Sequence, residues 1–400
     1  MERPPVTLTS PARPEDELEH DLVEYLVHVD LGNPDEEVFD RLAARVFRHQ
    51  FIRNLPYQRF CRARGITPEG FSSWRQAPTV PTDVFKVVDL STFPADQTVA
   101  IFRTSGTTRG QQRGQHRFSS LRPYEAALLR SFQRYVLPDD RRLPMLSLVA
   151  PGLELPDSSL SHMIDHLLPR LGTEGSRSFW RAGSLEVDAL TEALEAACRD
   201  QRPVLLLGTA FAYVHLFDER PDWAVALPAG SRLMETGGLK GRVREVARDE
   251  LYGLFETRLG LPAHHCVAEY GMTELSSQLY DVRLRDVWLD VSRGVSQGAP
   301  QGASQRNSIR ARLEPPPWLK VEVVDPVRLE TLPEGTIGLV RFFDLANLNS
   351  VCAIQTSDRG RWIDGGLELL GRAPDAEARG CSLTAEEILR VLPGPGHAGS

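Results

Sequence analysis

A chain of 400 residues with 41% hydrophobic and 25% charged content can bury a sizeable core, and its length allows two or three domains or one large one with subdomains. A formal charge of -8, a pI near 5.8 and scattered basic residues argue against a nucleic-acid surface. No run approaches the ~18 consecutive apolar residues of a membrane span, and the opening MERPPVTLTSPARPEDE holds no apolar leader core, so the expectation is a cytoplasmic protein with no membrane span.

Residues 1 to about 14 are Pro-rich and read as disordered. Helical patterns follow from Glu15 to His28 and from Asn33 to Gly65, where Val38, Leu42 and Val46 recur at i+4 after an Asn-Pro-Asp start signal. A Pro-punctuated segment, Ala77 to Phe93, leads to a β-prone run ending at Arg103, and a second β-prone run begins near His116. Beyond it helices and strands alternate: helix Arg122 to Tyr135, strand Met145 to Ala150, helices Ser158 to Leu171 and Val187 to Arg199, strand Pro203 to Leu207 and helix Phe211 to Phe217. Strand Arg232 to Glu235, helix Arg244 to Leu259 and strand His264 to Tyr270 continue the series, which predicts an α/β fold with a largely parallel sheet. Ser292 to Arg312 is Gly/Ser/Gln-rich and reads as a mobile surface loop. Strands at Lys320 to Val324 and Thr336 to Phe343 make the later part more β-rich.

Between the first two strands, Thr104-Ser105-Gly106-Thr107-Thr108-Arg109-Gly110 packs four hydroxyls, two glycines and an arginine into seven residues. Glycines let backbone N–H groups turn inward as an anion nest, and the hydroxyls and Arg109 add donors suited to a polyphosphate. No Lys-Ser or Lys-Thr closes the loop, so it is not the helix-opening nucleotide loop. By itself the cluster also reads as a plain hairpin connection.

Four later segments gain weight from their order. Gly237-Gly238 follows a predicted strand, where backbone free of side chains suits a flat adenine ring, although Gly-Gly after a strand is also an ordinary turn. Tyr270-Gly271-Met272-Thr273-Glu274 reads locally as a strand running into a helix capped by Thr273. Thr356-Ser357-Asp358 reads as a turn. Gly371-Arg372-Ala373-Pro374-Asp375 closes the series.

The loop and these segments together resemble the adenylate-forming superfamily of acyl-CoA ligases, luciferases and peptide-synthetase adenylation domains. The resemblance implies a phosphate loop at Thr104, Ser105, Gly106, Thr107, Thr108, Arg109 and Gly110, and adenine contacts from Gly237, Gly238, Tyr270 and Gly271. It further implies an α-phosphate contact from Thr273, a magnesium ligand in Glu274, a ribose-binding Asp358, and Arg372 near ribose and phosphate. The cofactors implied are ATP and Mg2+. The superfamily loop usually ends in Pro-Lys-Gly; here Gln111-Gln112-Arg113-Gly114 follows, so Arg109 or Arg113 is expected to supply the missing cation. No lysine follows Lys320, and Pro374 stands where the superfamily pivots; the small C-terminal domain is expected to be missing.

A closer resemblance is to the acyl-protein synthetase family of bacterial luciferase operons, which activates a fatty acid as its adenylate, moves it onto its own cysteine and passes it to an acyl-reductase subunit. It rests on Val80 to Lys86, the TSGTT loop, Glu235 to Lys240, Pro316-Pro317-Trp318, Asp325-Pro326, Pro333-Glu334-Gly335-Thr336-x-Gly and Arg379-Gly380-Cys381-Ser382-Leu383. The acyl-accepting thiol then falls on Cys381, which Arg372 and Arg379 could activate; read locally, Cys381 is equally a small buried hydrophobe at a strand end. The other cysteines, Cys61, Cys198, Cys266 and Cys352, show no Cys-x-x-Cys spacing and read as structural, with His264-His265-Cys266 on a strand that points neighbours to opposite faces.

The expected organisation is a helical N-terminal region (1–95), an adenylate-forming core (96–370) and a short C-terminal stub (371–400) carrying Cys381. The substrate expected is a carboxylic acid, bound partly by residues around Phe211 to Leu216 and Gly237, with a reductase subunit or carrier protein as acyl acceptor. Direct transfer to coenzyme A or a carrier's phosphopantetheine, and a catalytically silent acyl- or nucleotide-binding partner, are the alternatives.

Overall fold

The run Val204-Leu205-Leu206-Leu207 is apolar at every position, as a strand covered on both faces must be. The computed structural model describes residues 14–104, 112–237, 247–292, 312–373 and 379–391, with 14–15, 379–383 and 391 described by backbone alone. It places Leu205–Thr209 at the centre of a parallel array. Met145–Ser147 and then Arg177–Ser178 lie on one side; Arg232–Thr236 and then Cys266–Tyr270 lie on the other. Numbered along the chain, these five strands stand in the spatial order second, first, third, fourth, fifth. The order reverses between Met145–Ser147 and Leu205–Thr209, and ligands of such sheets gather beyond the carboxyl ends of the strands near the reversal.

Alternation along these strands feeds two cores. Leu205, Leu207, Met234 and Val267 pack with helices Arg122–Val136 and Ser159–Leu171 on one face. Leu206, Leu233 and Cys266 pack with Val187–Arg199, Ala210–Glu219 and Arg248–Leu259 on the other. Beyond Cys266–Tyr270 the same sheet turns antiparallel through Leu279–Asp281, Leu313–Glu314, Gly366–Arg372, Ala353–Ile363, Gly338–Asp344 and Leu319–Val324. The largely parallel sheet and the β-rich later part are therefore halves of one mixed sheet. No helix among the described residues is long and apolar enough to cross a membrane.

Helix Glu36–Arg53 is capped by Asp35, whose carboxylate accepts from the N–H groups of Glu37 and Val38. Its apolar face packs on the late strands: Phe39 lies 6.1 Å from Phe343, ring to ring. The buried Gln50 amide donates to Asn347 O at 2.6 Å and accepts from Cys352 N at 2.8 Å. Removing that amide would strand two buried backbone groups at about 1–3 kcal/mol each. The N-terminal helices thus share a core with strands 300 residues away in sequence rather than one of their own.

Several local expectations are corrected. Residues 271–278 form no helix, so Thr273 caps nothing; the chain turns and returns antiparallel as Leu279–Asp281. Thr356-Ser357-Asp358 is the interior of Ala353–Ile363, because pairing with strands on both sides outweighs local turn preference. His264 and His265 lie in a 3-10 turn ahead of strand Cys266–Tyr270. Cys381 belongs to a helix, Arg379–Val391, and not to the end of a strand. Helix Arg283–Ser292 has no counterpart in the sequence reading. The expected disorder of the opening residues falls on 1–13, and the expected loop at Ser292 to Arg312 on 293–311; both stretches lie outside the described residues.

Candidate active site

Strands Ala100–Arg103 and Gln115–Phe118 pair antiparallel, with Arg103 opposite Gln115, and so form the expected hairpin. At its mouth Thr104 N donates to Gly114 O at 3.0 Å, and Gly114 N donates to Thr104 Oγ1 at 2.9 Å. A Cβ at Gly114 would stand 3.0 Å from Thr104 Cγ2, so glycine permits this close pairing. The remaining predicted loop residues Ser105, Gly106, Thr107, Thr108, Arg109 and Gly110 lie outside the described residues. Arg113 is engaged elsewhere than in supplying a loop cation. Its guanidinium donates to Thr104 O at 2.6 Å, Arg103 O at 3.1 Å and Asp157 Oδ2 at 2.7 Å, which clamps the base of the loop. Arg109, the other expected cation, lies outside the described residues.

Gln115–Phe118 also carries a contact that sequence reading missed. His116 Nδ1–H donates to the carbonyl of Thr273 at 2.8 Å, which joins the loop hairpin to a segment 157 residues away. Burial pushes the His116 pKa down to about 4, so the ring is neutral at physiological pH. The turn after Thr273 is held from the far strands. Buried Asp344 accepts from Ser276 N at 2.9 Å and Ser277 Oγ at 2.7 Å, and Asn347 Nδ2 donates to Glu274 O at 2.8 Å. Thr273 and Glu274 therefore sit on an irregular backbone fixed from two sides, with Glu274 only 7% exposed. A carboxylate and a neighbouring hydroxyl are oxygen donors of the kind a hard divalent cation takes.

Tyr270, Asp358 and Arg372 come together. The Tyr270 hydroxyl donates to Asp358 Oδ2 at 2.7 Å, and Arg372 Nε lies 3.3 Å from Asp358 Oδ1. Asp358 and Arg372 are direct cross-strand partners, and the Tyr270 ring stacks on Phe342 at 5.9 Å. Asp358 N donates to Thr356 Oγ1 at 3.1 Å, which fixes the aspartate from its own strand. The result is a carboxylate on a sheet flanked by a hydroxyl and an exposed cation.

Gly237 follows strand Arg232–Thr236 with φ +76, and no described residue stands within 4 Å of where its Cβ would be. This is backbone that a flat ring can approach. Gly238 and Lys240 lie outside the described residues. Glu235 is committed to structure: Arg248 Nη2 donates to its Oε1 at 2.9 Å, which anchors helix Arg248–Leu259.

Glu269, the residue before Tyr270, is a second feature missed by sequence reading. It is 7% exposed, and its Oε2 accepts a hydrogen bond from Thr236 Oγ1. Burial pushes its pKa up to about 7, the Thr236 bond opposing and the Glu235 charge adding to the shift. The signal available was a carboxylate inside the otherwise apolar strand Cys266–Tyr270. Gly271 makes room for it, because a Cβ there would stand 2.5 Å from Glu269 Oε1. Gly271→Ala is accordingly expected to turn the carboxyl away from Thr236 and to destabilise the protein by about 1–3 kcal/mol, read from the urea midpoint. An unchanged midpoint would show that the carboxyl yields without losing its partner.

Cys381 is the third residue of Arg379–Val391, in its first turn. That helix is tied to the N-terminal helices by Arg64 Nη2, 2.6 Å from Glu387 Oε2. Pro374 lies outside the described residues. A groove of about 490 Å³ borders the same helix, lined by Arg64, Arg75, Arg341 and Glu387 among others. Arg64 is paired with Glu387, and Arg75 and Arg341 with Glu322, so these three cations serve structure.

This mixed α/β architecture has counterparts among solved ligase structures of low sequence identity. The chain shares its fold with 2-hydroxyisobutyryl-CoA ligase: TM-score 0.59 and 14% identity to an open conformation in complex with 2-HIB-AMP and CoA, over 88% of this chain and 78% of that one. The same enzyme in its thioesterification state gives TM-score 0.57 and 15% identity over 86% and 69% of the two chains. ATP-bound MatB from Rhodopseudomonas palustris aligns with 78% of this chain at 15% identity and TM-score 0.48; the chain spans about half, 51%, of MatB's length. No family model and no curated protein sequence matches the chain.

Proposed function

We propose that the chain activates a carboxylic acid, a fatty acid in the first instance, with ATP and Mg2+, and passes the acyl group through Cys381 to a partner protein. The observation that carries this reading is the convergence of Tyr270, Asp358 and Arg372 beside the Thr273-Glu274 turn, with His116 hydrogen-bonding that turn from the loop hairpin. Asp358 would accept from the ribose hydroxyls, Gly237 and Tyr270 would flank the base, and the Thr104–Gly110 loop would take the polyphosphate. Glu274 would hold Mg2+, which offsets charge on the phosphoryl oxygens when bound.

In the first step a carboxylate oxygen bonds to the α-phosphorus, the bond to the bridging oxygen breaks and pyrophosphate leaves. In the second the Cys381 thiolate attacks the acyl carbon, the carbon–oxygen bond breaks and AMP leaves with the electron pair. The first turn of a helix is a position that favours a thiolate. Direct transfer to coenzyme A is the second reading, supported by the fold shared with a ligase crystallised with 2-HIB-AMP and CoA.

Intact-protein mass after incubation with ATP, Mg2+ and pooled carboxylic acids distinguishes the two. A hydroxylamine-labile acyl adduct is expected on the wild type and not on Cys381→Ser. Acid-dependent AMP formation with no adduct, and a coenzyme A thioester made equally by Cys381→Ser, would overturn the cysteine route in favour of direct transfer.

A further inference from the structure

Helix Ser159–Leu171, capped by Ser158, carries His162 and His166 one turn apart, so both rings project from the same face. The facing helix Arg122–Val136 contributes Glu125 from its first turn. Glu125 Oε1 lies 3.1 Å from His162 Nε2 and 3.3 Å from His166 Nδ1. One ligand atom from each of the three residues falls within 4.8 Å of the others. His166 is 8% exposed, while Glu125 and His162 are half-buried, so an ion has a route in. Nothing in the adenylation reading uses these groups.

We propose that Glu125, His162 and His166 bind a transition-metal dication, Zn2+ in preference to Mg2+. Two imidazoles and one carboxylate form a ligand set that zinc takes, whereas magnesium prefers six oxygens. A tetrahedral ion with bonds of about 2.0–2.1 Å separates its ligand atoms by about 3.3 Å. Both carboxylate–imidazole separations already match, and only the two rings must close toward each other. Metal-free, His162 Nε2–H and His166 Nδ1–H donate to the carboxylate; on binding, each proton moves to the other ring nitrogen through solvent, and the vacated lone pairs take the ion. Neutral imidazoles and one carboxylate leave a net charge of +1 on the loaded site. Arg170 opposes the cation: it lies one turn beyond His166, and its Nη1 donates to the His166 carbonyl at 3.1 Å. Three protein ligands leave a fourth position for water.

The location gives the site a consequence. The His162 ring lies 5.4 Å from Phe102 and 5.8 Å from Tyr124, and Phe102 belongs to the first strand of the loop hairpin. A bound ion would pin two helices behind that hairpin.

The test is metal binding to the full chain stripped with chelator and titrated with Zn2+ alone, then with Co2+ as a spectroscopic probe. Expected are one Zn2+ per chain, a melting temperature higher by a few degrees with Zn2+ than with equal Mg2+, and the visible absorption of four-coordinate Co2+. His162→Gln/His166→Gln should weaken binding at least 10-fold and lose the cobalt spectrum. The wild-type cobalt spectrum decides the ligand count even if that variant misfolds. No Zn2+ retained by the wild type, or an unchanged cobalt spectrum in a folded double variant, would overturn the proposal and leave the trio a hydrogen-bonded strut between helices.

Discussion

Asp358→Asn is expected to raise the KM for ATP in acid-dependent AMP formation by about 10- to 100-fold, because each charge-assisted hydrogen bond is worth about 1.5–3 kcal/mol. In the structure this carboxylate accepts from Tyr270 at 2.7 Å and lies 3.3 Å from Arg372 Nε, and it is held by pairing on both sides of its strand. The amide removes the charge and one acceptor without changing the shape. Tyr270→Phe is the control: the ring survives on Phe342 while the hydroxyl donor to Asp358 is lost. Its effect should be several-fold smaller, since the carboxylate remains. Equal KM values for wild type and Asp358→Asn would remove Asp358 from nucleotide binding.

Glu269→Gln is expected to stabilise the protein at pH 8 by about 2–3 kcal/mol and to have little effect below pH 4.5. The folded-state pKa of Glu269 is pushed up to about 7, from 4.5, so the native state prefers the protonated acid. Its contribution to stability is fully present below 4.5 and is lost as pH rises through about 7. The glutamine keeps an oxygen for the Thr236 hydroxyl and carries no charge to bury. Urea unfolding of both proteins across pH 4.5–8.5 reads the difference directly. A constant gap across that range would mean that the carboxyl does not titrate there. His116 works in the opposite sense, since its lowered pKa of about 4 costs stability as pH falls below the ordinary imidazole range.

Most of the helices and the hairpin were readable because their signals are local, whereas Arg283–Ser292 and Arg379–Val391 were not read as helices. Val187–Arg199 forms with its expected bounds, and glycines and hydroxyls between two β-prone runs placed the loop at a hairpin mouth. Asp358 was legible only through motif order, because its surroundings are assembled from Tyr270 and Arg372, whose positions depend on strand pairing. Spelling alone did not show that Arg113 holds the loop base, where it makes three hydrogen bonds to Thr104, Arg103 and Asp157. His116 offered only its i+2 spacing from the buried Phe118, and its partner Thr273 lies on a turn that local preference misread as a helix start. His162 and His166 show their helical spacing in the sequence, but the third ligand, Glu125, becomes visible only once two helices pack on the same face of the sheet.

The proposed acid-activating nucleotide site rests on these converged residues. Exchange of labelled pyrophosphate into ATP, measured with Mg2+ and the acid pool, isolates that site because it needs the adenylation step and no acceptor. Exchange that requires an acid and falls about 10-fold or more in Asp358→Asn at sub-saturating ATP is the predicted result. Folded wild-type protein that gives no acid-dependent exchange with any acid of the pool would overturn the adenylation reading and point to a silent binding partner.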